Sequence, residues 1–128
     1  MGKRALLIVD HGSKRREANE LLAGLAEMVQ KMSGWEIVRY AHMELAEPTI
    51  QQAFADCVRG GASEIIVHPY FLSPGEHATQ DIPMLVAEAA SKSPGVSFRV
   101  TEPLGLHPLI AKVILDRVGG SLESNNQK

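Results

Sequence analysis

The chain has 128 residues, with 13 Lys and Arg against 15 Asp and Glu, so its net charge of −2 lacks the basic footprint of a nucleic-acid binder. Aromatic residues make up 5% of it, too few for a base-stacking platform, and the 45% hydrophobic share is ordinary for a globular domain. The single cysteine, Cys57, excludes an intramolecular disulfide, a CxxC redox pair and a thiolate cluster within one chain. No apolar run approaches the ~20 residues of a membrane span. The N-terminus enters a strand almost at once, leaving no room for a signal or transit peptide. The expectation is a soluble cytoplasmic protein with neither a membrane nor a nucleic acid as partner.

Strand and helix patterns alternate along the chain, which predicts a parallel sheet with crossover helices. A first strand is expected at about Arg4–Val9, followed by a helix over roughly Arg16–Met32 with Leu21, Leu22, Leu25, Met28, Val29 and Met32 at helical spacing. Ser33-Gly34 stops that helix, and a second strand covers about Glu36–Met43. Pro48 is placed in the first turn of helix two, whose buried face is Ile50, Ala53, Phe54, Cys57 and Val58 and whose end is Gly60-Gly61. Cys57 on that stripe reads as a small core residue.

Strand three is expected at Glu64–Phe71, and helix three near Gln80–Pro83, carrying Ile82, Leu85, Val86 and Ala89 up to Ser93-Pro94-Gly95. Strand four follows at about Ser97–Thr101. Helix four runs from about Pro108 to Val118, with Ile110, Val113, Ile114 and Leu115, and stops at Gly119-Gly120. The expected architecture is a single α/β domain over 1–120, an open four-stranded parallel sheet flanked by helices, with a polar, frayed tail at 121–128. Right-handed crossovers and the flavodoxin-like order place strand one between strands two and three.

That order gives the carboxyl edge its interest, because ligands of such sheets bind outside the carboxyl ends of the strands. The edge offers His11, Ser13, His42, Glu44, Glu76, His77 and Glu102. Two imidazoles and a carboxylate suit a borderline divalent ion such as Fe²⁺, Co²⁺ or Ni²⁺, and His11, Glu44 and His77 can converge if the strands are neighbours. The spacing matches no local motif such as HExxH. His42 and Glu44, two apart, are expected on one side of the sheet. His68 within strand three reads as structural, and His107 before Pro108 as a helix-entry residue. Ser13, Lys14, Arg15 and Arg16 lead into helix one, where backbone N–H groups and positive side chains can attract an anion or form a solvated charge run.

Three segments together resemble one family. Asp10-His11-Gly12-Ser13, Ala41-His42-Met43-Glu44-Leu45-Ala46-Glu47-Pro48-Thr49-Ile50 and Pro69-Tyr70-Phe71-Leu72-Ser73-Pro74-Gly75-Glu76-His77, followed by Gln80-Asp81-Ile82-Pro83, are similar to the short sirohydrochlorin chelatases of the CbiX/SirB type. The resemblance spans about residues 4–118, and the middle and third segments look closest to the iron-inserting forms of cyanobacteria and plants. It implies ATP-independent insertion of a divalent metal into sirohydrochlorin, for sirohaem or cobalamin synthesis. His11 and His77 map onto the metal-site histidines, and Glu44 onto a functional glutamate of longer relatives.

The resemblance also implies a homodimer and a metal handled as substrate, with no permanently bound cofactor. Its carboxylate-rimmed macrocycle would meet Ser13, Lys14, Arg15, Arg16 and His42. Glu76 departs from the basic or small residue of many relatives, and the cluster-binding cysteines of plant forms are missing. Neutral imidazoles would hold the ion loosely while a histidine released from the metal, or Glu44, accepts the pyrrole protons. Iron is favoured over cobalt. The rival reading is a non-catalytic metal or tetrapyrrole carrier; a hydrolase built on Asp10, His11 and Ser13 lacks a GxSxG elbow.

Overall fold

The computed structural model describes residues 2–119, with only the backbone described at 76–79. Strands and helices alternate without exception: β1 (Lys3–Asp10), α1 (Arg16–Ser33), β2 (Ile37–His42), α2 (Ile50–Arg59), β3 (Ala62–Pro69), α3 (Glu76–Ala90), β4 (Ser97–Val100) and α4 (Pro108–Arg117). The sheet is parallel throughout, in the order β2-β1-β3-β4, so β1 lies between β2 and β3 as expected. The expected tail at 121–128 lies outside the described residues.

β1 is apolar on both faces because helices cover both. Its alternation deals Ala5, Leu7 and Val9 to a core shared with Phe54 and Cys57 of α2 and Ile82 and Val86 of α3. Ile8 goes to the opposite core, with Leu22 and Ala26 of α1 and Val38 of β2. Burial raises the pKa of the Cys57 thiol to about 11, in keeping with a core residue rather than a nucleophile.

Turn chemistry sets most boundaries. Gly34 closes α1 in the left-handed region (φ 75°), and its N–H donates to the Gln30 carbonyl. Thr49 caps α2: its side chain accepts from the Gln52 N–H while the Gln52 side chain accepts from the Thr49 N–H. Pro48 therefore precedes the cap, joined to Glu47 by a cis peptide, and does not enter the first turn of α2.

Three more expectations are corrected. α3 starts at Glu76, behind an extended Gly75, which places Pro83 inside the helix instead of at its start. The apolar spacing in α1 overstated its buried face: Leu22 and Ala26 are buried, whereas Leu21, Met28 and Met32 are 76%, 58% and 81% exposed. An 18-residue helix crossing a narrow four-stranded sheet meets it along a stripe narrower than its own apolar arc. α4 buries no residue at all; Val113 and Ile114 are more than half exposed.

Candidate functional site

The parallel register brings the ends of β1 and β2 side by side, with Asp10 opposite His42. The pairing continues past the strands, as the Met43 N–H donates to the Asp10 carbonyl and the Glu44 N–H to the His11 carbonyl at 3.1 Å. Gly12 allows this close passage. Its φ of 96° is one that side chains rarely adopt, and a Cβ there would run into the Glu44 carbonyl oxygen.

The two loops thus present His11 and Glu44 together. His11 Nε2 lies 3.0 Å from Glu44 Oε2, with the two side chains 58% and 59% exposed. An imidazole and a carboxylate so disposed can share a proton or flank a cation. β2 ends at His42, so the strand alternation expected to pair His42 with Glu44 stops there, and Glu44 is exposed. His42 is buried instead, its Nδ1 2.6 Å from Asp10 Oδ1. Among the described residues His42 Nε2 has no hydrogen-bond partner.

His77 is the second residue of α3, which begins after the loop leaving the carboxyl end of β3. Its side chain lies outside those described. Among the described residues no group of three or more His, Cys, Asp and Glu side chains forms a metal-sized cluster, so the described part of the site is the His11–Glu44 pair.

On the α1 side of the same edge lies a cleft of about 330 Å³ whose lining includes Ser13, Lys14, Arg16, Tyr40 and His42. Asn19 fastens its rim: its side-chain oxygen accepts the Ser13 N–H and its amide donates to the Ser13 carbonyl. Arg16 lies 3.7 Å from Glu20, one turn on along the helix. Arg15 is apart from the cleft lining; it is the exposed N-cap residue of α1, and its backbone N–H donates to Ser13 Oγ.

The other two described histidines serve the fold. His68 is hydrogen-bonded through Nδ1 to Thr101 Oγ1, and burial holds its pKa below the usual histidine value. His107 is the N-cap residue of α4, where its Nδ1 accepts the Leu109 N–H. Two residues escaped the sequence reading as parts of the site, Asp10 and Asn19. Asp10 had a signal, since a strand partner one residue before His11 faces whatever ends β2.

The fold and its edge define an open parallel α/β protein that offers an imidazole–carboxylate pair where such sheets bind ligands. The CbiX family model matches residues 5–121, and the chain belongs to that family. It is 49% identical over 113 residues to a chloroplastic sirohydrochlorin ferrochelatase of Arabidopsis thaliana, covering 88% of this chain and 50% of the plant protein. It is 29% identical to a sirohydrochlorin cobaltochelatase of Methanopyrus kandleri, covering 92% of this chain and 96% of that one. The crystal structure of the sirohydrochlorin chelatase SirB of Bacillus subtilis subspecies spizizenii in complex with cobalt aligns with a TM-score of 0.83 at 33% identity, over 91% of this chain and 50% of that chain. The chain therefore spans about half the length of the plant and Bacillus relatives and nearly all of the Methanopyrus one.

Proposed function

We propose that this chain is a chelatase that inserts a divalent metal, Fe²⁺ ahead of Co²⁺ or Ni²⁺, into sirohydrochlorin without ATP. The observation that carries the reading is the exposed His11–Glu44 pair at the carboxyl edge. Relatives named for iron and for cobalt insertion into the same macrocycle support it.

In this reading His11 and His77 hold the incoming metal, which is a substrate and not a resident cofactor. Glu44 or a released histidine takes the two pyrrole protons displaced as the ion enters, so that the dianionic macrocycle balances M²⁺. An ion held by few, exposed ligands is readily surrendered, as insertion demands; a closed structural site would retain it. Ser13, Lys14, Arg15 and Arg16 bind the carboxylates of the macrocycle, and His42 forms the floor of the cleft beside them. The protein acts as a homodimer in the cytoplasm, the latter checked by cell fractionation.

The test mixes purified protein anaerobically with sirohydrochlorin and, separately, Fe²⁺, Co²⁺ or Ni²⁺, and follows the visible spectrum. Insertion above the uncatalysed rate is expected, fastest with iron and abolished in folded His11→Ala and His77→Ala variants. Spectral changes that saturate at stoichiometric binding without metalloproduct would replace the chelatase by a carrier.

A further inference from the structure

His11 and Glu44 are each more than half exposed, so side-chain packing does not hold them 3.0 Å apart. Their relative placement comes from the backbone of the two loops, and one side-chain bond lies directly behind it. Asp10 precedes His11 by one residue and His42 precedes Glu44 by two; these two face each other across the β1–β2 register. Their 2.6 Å bond cross-links the strand ends at the point where both chains leave the sheet. We propose that Asp10 and His42 are positioning residues that set the spacing of the His11–Glu44 pair.

The surroundings of His42 support a role beyond filling space. The ring is 1% exposed, and its edge packs on Tyr40 with ring centroids 5.8 Å apart at 66°. Its Nε2 has no partner among the described residues, and a polar atom left unpaired in the interior destabilises the fold. A phenyl ring would fill similar space without that cost, but it would make only non-directional apolar contacts. Histidine instead makes a directional bond to the strand that carries His11. With the carboxylate accepting the Nδ1 hydrogen, the ring plane and the ends of both strands are tied together. The backbone bonds from Met43 to Asp10 and from Glu44 to His11 then pass that alignment to the exposed pair.

The inference concerns the geometry of the pair, and it rests on the proposed function only where turnover is the readout. Three readouts test it on the full chain carrying His42→Phe or Asp10→Asn, each first shown to be folded by its thermal midpoint. In a crystal structure of His42→Phe, His11 Nε2 and Glu44 Oε2 should lie beyond hydrogen-bond distance. A visible titration with Co²⁺ alone should show affinity weakened about tenfold or more, as for removal of other outer partners of metal-binding groups. In the insertion assay kcat should fall in both variants, and in Asp10→Asn, whose residue lies outside the cleft lining, KM for the macrocycle should change little. Asp10→Asn, which keeps the shape and an accepting oxygen, should show the smaller loss.

A lowered thermal midpoint with unchanged kcat per folded molecule and unchanged Co²⁺ affinity would overturn the inference and leave the pair a structural one. So would a His11–Glu44 distance retained near 3.0 Å in the folded His42→Phe protein. Failure of the wild-type protein to metallate sirohydrochlorin would remove the proposed function, while the crystal-structure comparison would still decide the positioning role.

Discussion

Burial and hydrogen-bond partners separate the four described histidines into different tasks. His11 is exposed beside a carboxylate, His42 is buried against one, His107 caps a helix, and His68 is half-buried against Thr101. Burial holds the pKa of His68 below its ordinary 6.5 in the folded chain. Between that lowered value and 6.5 the unfolded chain carries the proton and the folded one does not. His68 therefore opposes folding on acidification: stability is retained above pH 6.5 and declines as the pH falls below it toward the folded value. The thermal midpoint should drop between pH 7 and pH 5, and His68→Gln should drop less steeply. An identical acid slope in the two proteins would exclude His68 as its source.

The edge positions of His11 and His77 were readable from sequence because each comes after an apolar run that reads as a buried strand, and that of Glu44 because it lies just past the expected second strand. The role of Asp10 was not, since its partner stands 32 positions away and only the strand register sets it opposite His42. The separate fates of His42 and Glu44 were hidden for a related reason. The period-two rule holds only inside a strand, and β2 ends between them.

At the scale of elements, the order and type of every strand and helix followed from hydrophobic period and turn residues, and the boundaries moved where local chemistry competed. Pro48 is a good first-turn residue, yet the Thr49–Gln52 capping box starts α2 one residue later than the proline would. Pro83 suggested a helix start, but the extended Gly75 supplies an earlier one and the helix carries the proline in its interior. Which apolar side chains of a helix are buried depends on how much sheet lies beneath it, and the chain alone does not disclose that. Leu22 and Ala26 are covered, whereas Met28 and Met32 project into solvent. α4 is the extreme case, with the apolar pattern of a packed helix and no buried residue.

For the whole molecule, the β2-β1-β3-β4 order matters most, because it puts the end of β1 between the strands that lead to Glu44 and to His77. The chain spans half of the Bacillus chelatase chain, and a homodimer would supply the remaining bulk from a second copy. Light scattering should then report twice the mass of the chain, and a monomer at all accessible concentrations would remove the dimer. No helix among the described residues is long and apolar enough to cross a membrane.

The central claim is that His11 and Glu44 act together on the metal and its displaced protons. A double-mutant cycle on kcat for Fe²⁺ insertion, with His11→Ala, Glu44→Ala and the double variant all verified as folded, tests it most directly. Each single change should lower kcat by about 10²-fold or more, and the double variant should be scarcely worse than either, since residues that act as a unit lose their function together. Strictly multiplying losses, or a folded His11→Ala protein with the wild-type kcat, would contradict the claim.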